Sequence, residues 1–181
     1  MPNFKAIVAG HSNVPSSFPE IPFVQLEVIR IPGAKLSDFW TRPEFAKIRD
    51  QTYDLAILYL GGNDINNDSQ PRIIINEIKD ILRHLLTIHR RVTFVSLEPR
   101  RYRPNNRFGI NPEGYSYVAK YVNKHLTPFL RKNSIRTINV TLDLLREGHT
   151  RDGVHFLAPS QAYIRRKIVR CVQHFEMENE N

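Results

Sequence analysis

The sequence has one cysteine, Cys171, among 181 residues, so no disulfide can form within the chain and a stapled secreted scaffold is excluded. Methionine and tryptophan are scarce, at two and one, and glycine numbers only eight, which rules out collagen-like or glycine-rich low-complexity chains. No apolar run is long enough to span a bilayer. The opening MPNFKAIVAGHS reaches a polar turn after about six apolar-rich residues, too soon for a secretory signal. These absences predict an intracellular, cytoplasmic protein. Acidic residues are outnumbered, with 18 Asp and Glu against 26 Lys and Arg for a formal charge of +8. The excess is carried by about two arginines for each lysine, and a guanidinium pairs bidentately with phosphate. Nucleic acid or an anionic lipid surface is therefore an admissible partner, although charge alone does not choose between them or require either.

What is present is a hydrophobic fraction of 41% with ten Phe and seven Tyr, enough for a sizeable core. The length suits one domain over 1–181, which a larger protein could contain. Five runs dense in branched apolar residues read as strands: 4–9, 24–31, 54–60, 92–97 and 135–140. Most are continuous rather than alternating, as in a parallel sheet covered on both faces. Between them lie helical stripes. Ile74, Ile78, Ile81, Leu82 and Leu85 recur at three and four residues; Asn111-Pro112 starts a helix buried through Tyr115, Val118, Ala119, Val122 and Leu126. Pro159 opens a last helix with Ile164, Ile168, Cys171, Val172 and Phe175 on its stripe, which makes Cys171 a core residue. The alternation predicts an α/β three-layer sandwich of about five parallel strands with helices on both faces. The first crossover, broken by Pro15, Pro19 and Pro22, has room for a helical turn or two at most.

In such a sheet ligands bind at the carboxyl ends of the strands. Polar clusters occur at those ends or in the loops beside them: Gly10-His11-Ser12-Asn13, Pro32-Gly33-Ala34, Gly61-Gly62-Asn63-Asp64 and Asp152-Gly153-Val154-His155. Taken singly, each also fits a plain structural role, Ser12 or Asn63 as a cap and Gly33 as a turn. Together they meet the needs of acyl transfer: a hydroxyl nucleophile, a base, a carboxylate to orient the base, and donors for an oxyanion. Ser12, His155 and Asp152 can fill the first three roles. The backbone amides of Ser12 and Gly33 and the side-chain amide of Asn63 can supply the donors.

The same residues resemble the four blocks of the SGNH (GDSL-type) hydrolases, in the family's order from Gly10 to about His155. The resemblance implies a flavodoxin-like sheet and an esterase or lipase-like activity on acyl ester or phospholipid substrates, with no metal or cofactor. It also implies Ser12 as nucleophile, His155 as base, Asp152 as its partner, and Ser12, Gly33 and Asn63 as oxyanion donors. His11 stands where the family usually has Asp, a position that is mainly structural there. The Gly-His-Ser form, the 32–36 segment and the basic charge are most similar to SGNH domains encoded by non-LTR retrotransposons. A related branch, the RNA-binding domain of Oskar, keeps the fold without the catalytic residues, so a non-enzymatic RNA-binding or scaffold module is the alternative.

The segment 98–107 follows the fourth strand and should share the site's rim. Arg100, Arg101, Arg103 and Arg107 are candidate anion-binding residues there, beside Tyr102, for a membrane surface or RNA. His84, His89 and His125 show no metal-ligand arrangement, and Phe39 and Trp40 read as core.

Overall fold

The computed structural model describes residues 3–102, 105–140 and 152–179. Five parallel strands, β1 (Phe4–Gly10), β2 (Val24–Arg30), β3 (Leu55–Tyr59), β4 (Val92–Val95) and β5 (Arg136–Ile138), form one sheet in the order β2-β1-β3-β4-β5. Alternation along each strand divides the core in two. Ile7, Ala9, Ala56, Leu58 and Phe94 face short helices α1 (Asp38–Thr41) and α2 (Ala46–Asp50) and long helices α3 (Pro71–Ile88) and α4 (Pro112–Lys132). Ala6, Val8, Leu55, Ile57 and Val95 face α5 (Ala158–Asn179), through Ile164, Ile168, Cys171 and Val172. The architecture is the three-layer α/β sandwich that the alternation predicts, with the flavodoxin-like parallel sheet that the resemblance implies.

The helices begin where the sequence signals them. Asn111 caps α4 through its side-chain oxygen, which accepts from the N–H groups of Glu113 and Gly114 at 2.9 and 3.1 Å, with Pro112 in the first position. The last two strands are shorter than the apolar runs that announce them. Past β4, Ser96 N–H still donates to Ile138 O of β5 at 3.0 Å, and the backbone then bonds side chains: Leu97 N–H donates to Asn123 Oδ1, Asn123 Nδ2 donates to Leu97 O, and Val140 N–H donates to Ser96 Oγ. Thus the chain leaves the sheet while remaining buried.

The first crossover has no helix at all. Val14 and Ile21 anchor it to the core beneath α5, and edge strand β2 is left half-buried along most of its length. Phe39 is fully buried, whereas its neighbour Trp40 is 45% exposed and packs edge-on against His84, so only one of the two is a core residue. His89 is a core residue, accepting from Tyr53 N–H and contacting Ile48 O at 2.8 Å; burial depresses its pKa. Burial also raises the pKa of the Cys171 thiol, consistent with packing rather than reactivity. Among the described residues no helix is long and apolar enough to cross a membrane.

Candidate active site

Because every strand runs the same way, the loops after β1, β2, β3 and β4 emerge at one edge of the sheet. There a cavity of about 170 Å³ is lined by Ser12, Gly33, Asn63, Arg100 and His155 together with Ile65, Tyr102, Phe108, Ile110 and Val154. Five separate sequence segments thus meet at one depression.

Ser12 lies in the turn that follows β1 and is 8% exposed between the buried His11 and Asn13. Its carbonyl accepts from Arg30 Nε at 3.0 Å, tying the turn to the end of β2. On the other flank of the cavity, His155 Nδ1 lies 2.8 Å from Asp152 Oδ2. The other carboxylate oxygen accepts from the N–H groups of Val154 and His155 at 3.1 and 2.9 Å, so the loop folds around its own acid. Burial pushes the Asp152 carboxyl up, but the backbone and side-chain bonds from His155 and the Val154 N–H outweigh it and hold the pKa at about 2. The carboxylate is therefore charged at neutral pH. It can accept from Nδ1–H and leave Nε2 as the basic nitrogen.

Gly153 supplies the tight bend of this loop, with φ +81°, and a Cβ there would sit 1.9 Å from the carbonyl oxygen of Arg101. Arg101 N–H in turn donates to Gly153 O at 2.9 Å, docking the segment after β4 on the base loop.

Asn63 sits in a single 3₁₀ turn after β3. Its Nδ2 donates to Ala34 O at 3.0 Å, which joins it to the Gly33 turn. The neighbouring Asp64 accepts from Leu36 N–H at 3.1 Å and braces the same turn from below. Burial raises the Asp64 carboxyl to about 7, against the lowering effect of the Leu36 bond.

Three residues reach this site that the motif reading did not assign to it. Asn13 Oδ1 accepts from Phe156 N–H at 3.3 Å and its Nδ2 donates to Val154 O at 3.0 Å. The residue after Ser12 therefore grips the backbone on both sides of His155. His11 is fully buried; its Nδ1 accepts from Asn13 N–H at 3.2 Å and its Nε2 lies 3.4 Å from Glu98 Oε2. Glu98 is a fully buried carboxylate of the site, and it comes from the segment that follows β4. Burial raises its pKa, but Arg100 and His11 more than compensate and keep it ionised. The only sequence signal for these roles was polarity at a strand end.

The arginine rim differs from expectation. Arg100 is 4% exposed and its guanidinium is committed to Glu98 at 2.6 Å, so it cannot serve as an exposed phosphate ligand. The alternation of a chain leaving β4 turns residues 98 and 100 to one side, inward. Arg101 and Arg107 are exposed; Arg107 Nη2 lies 3.4 Å from Asp152 Oδ2 and its guanidinium covers the Phe108 ring. Arg103 lies outside the described residues.

No protein-family model matches the sequence, and no curated protein matches it at the sequence level. Solved structures do match the fold. A GDSL-like lipase from Bacteroides thetaiotaomicron superposes with a TM-score of 0.71 at 15% identity, over 94% of this chain and 88% of the other. Est24, a carbohydrate acetylesterase from Sinorhizobium meliloti, gives 0.70 at 15% identity over 95% and 99%. The lipase/acylhydrolase from Enterococcus faecalis gives 0.68 at 14% identity over 94% and 96%.

Proposed function

We propose that this chain is a serine ester hydrolase of the SGNH type acting on small acyl esters through an acyl-Ser12 intermediate. The observation that carries the reading is the His155–Asp152 pair, 2.8 Å apart, opening on the same cavity as Ser12, Gly33 and Asn63. The three solved structures named above, a lipase, an acetylesterase and an acylhydrolase, support the same class of chemistry.

In this mechanism His155 Nε2 removes the Ser12 hydroxyl proton as Oγ attacks the ester carbonyl. Asp152 holds Nδ1–H and stabilises the imidazolium that forms. The carbonyl oxygen gains charge facing the backbone N–H groups of Ser12 and Gly33 and the Asn63 amide, each such donor contributing roughly 3 to 4 kcal/mol. Collapse breaks the ester C–O bond, and the imidazolium returns its proton to the leaving alkoxide. Water, deprotonated by His155, then attacks the acyl-serine carbonyl; the acyl–Oγ bond breaks, the imidazolium gives its proton to Ser12 Oγ and the carboxylic acid leaves. The apolar lining by Ile65, Phe108, Ile110 and Val154 suits the acyl group, and a cavity of about 170 Å³ favours short acyl chains over long phospholipid ones.

The deciding experiment is fluorophosphonate labelling together with p-nitrophenyl acetate hydrolysis. The parent should be labelled and turn over, and Ser12→Ala should do neither while remaining folded. Equal rates in the two proteins would sink the proposal. A chain that binds RNA but leaves Ser12 unlabelled would instead establish the non-enzymatic alternative.

A further inference from the structure

Behind Asn63 lies a buried ion pair for which the reaction just described has no direct use. Arg100 bonds Glu98 Oε1 through Nε at 2.9 Å and through Nη2 at 2.6 Å, and Nη1 donates to Tyr102 Oη at 3.0 Å. Nη2 also donates to Asn63 Oδ1 at 3.0 Å. Tyr115 closes the far side, its ring 5.2 Å from the guanidinium and its hydroxyl donating to Glu98 O. Gly62 makes room, because a Cβ there would lie 2.7 Å from Arg100 Nη2 and 2.8 Å from Glu98 Oε1.

The chemistry of a guanidinium has a geometric consequence. It offers only donors, so the Asn63 atom that faces it must be the amide oxygen. The amide nitrogen is thereby turned the other way, where one N–H meets Ala34 O; the nitrogen carries a second N–H, and Asn63 lines the cavity. A flipped amide would set NH₂ against the arginine and present an oxygen, a repulsive group, to a developing oxyanion.

We propose that Arg100, held by Glu98, is a positioning residue that locks the Asn63 amide in the orientation able to donate to the oxyanion. The proposal rests on Ser12 being the nucleophile of an ester hydrolase. A fixed cation behind the donor also favours negative charge in front of it, at no cost in reorganisation during the reaction. Both effects grow with charge development, so they act on kcat more than on KM.

The test uses the full chain and p-nitrophenyl acetate. Removing one member of a buried pair strands the other charge, whereas replacing both by apolar side chains is often tolerated. The informative variant is therefore Glu98→Met with Arg100→Met, checked for folding by circular dichroism. We expect kcat to fall about 100- to 1000-fold with KM within about twofold, consistent with loss of one oriented donor. Adding Asn63→Ala to this variant should cost little more, because Arg100 acts through Asn63; a merely structural role predicts losses that multiply. Arg100→Lys, which keeps the charge but not the planar fork, should fall between parent and double variant.

A readout independent of turnover is the Asn63 side-chain NH₂ signal in ¹⁵N–¹H NMR. Its protons should exchange slowly with solvent in the parent, where Nδ2 is held against Ala34 O, and faster in the double variant and in Arg100→Lys, where the whole amide is free to turn about Cβ–Cγ. Unchanged kcat, multiplying losses, or an unchanged amide signal in a folded variant would overturn the proposal. Absence of Ser12 labelling in the parent would instead overturn the esterase reading, and the amide signal would still decide the orientation.

Discussion

The two sides of the candidate site are built differently. On the side of the proposed nucleophile and oxyanion donors, His11, Ser12, Asn13, Glu98 and Arg100 are all less than a tenth exposed; Asn13 N–H donates to His11 Nδ1, and Arg100 donates to Glu98 and Asn63. On the acid–base side, the side chains of His155 and Asp152 are 31% and 24% exposed and are organised within a four-residue loop. Donors that stabilise charge work best when fixed and dry, because they then need no reorganisation. Proton carriers must meet leaving group and water, so they remain accessible. Asn13 is the one described side chain that ties the buried side to the backbone around His155.

The sharpest break in this comparison comes on the open side. His155→Ala should reduce kcat/KM on p-nitrophenyl acetate on the order of 10⁶-fold, with unfolding temperature close to that of the parent. Asp152→Asn should cost less, about 10⁴-fold, because the base survives while its tautomer and orientation are lost. Equal losses, or full activity in Asp152→Asn, would contradict Asp152 as the orienting partner.

Cutting the link between the sides should have an intermediate effect of a different kind. Asn13→Ala removes the grip on Val154 and Phe156 and strands buried polar groups, at about 1 to 3 kcal/mol of stability. Misplacing His155 by even an ångström should lower kcat up to about 100-fold. Denaturant titration and steady-state kinetics on the same preparation would check this, and a stability loss without a kinetic one would show that Asn13 only packs.

Stability should respond to pH in two opposed windows. Asp152 titrates near 2 when folded against 3.8 when unfolded, so its contribution is present above pH 3.8 and is lost as pH falls toward 2. Asp64 titrates near 7 against 3.8, so the folded state binds its proton more tightly and stability declines as pH rises from about 4 to about 7. Asp64→Asn, which keeps an acceptor for Leu36 N–H, should flatten that decline in urea unfolding. A parallel pH profile in parent and variant would show that Asp64 is not its source.

The smallest effect is expected at the surface. Arg101→Ser with Arg107→Ser should weaken salt-sensitive binding to anionic liposomes or single-stranded RNA while leaving turnover of a small neutral ester within about twofold, as exposed pairs contribute little. Unchanged binding would leave these arginines without a part in recruitment.

The amino-acid sequence by itself determined the layered α/β architecture, because local periodicity and turn chemistry carry that information: the isoleucine stripe of α3, the Asn111-Pro112 start of α4 and the continuous apolar runs of β1 and β3 each declare their element. It also marked Ser12, Gly33, Asn63, Asp152 and His155, whose residue types and order make a recognisable pattern. Tertiary structure alone decided the inward turn of Arg100, the exposure of Trp40, the grip of Asn13 on the base loop and the placing of Glu98 beneath Asn63. Each depends on which way a side chain points after its strand has ended, and on partners up to 143 residues away. An arginine reads as solvated in a sequence because burial of its charge costs too much alone. Only the fold shows that Glu98, Tyr102 and Asn63 are there to receive it.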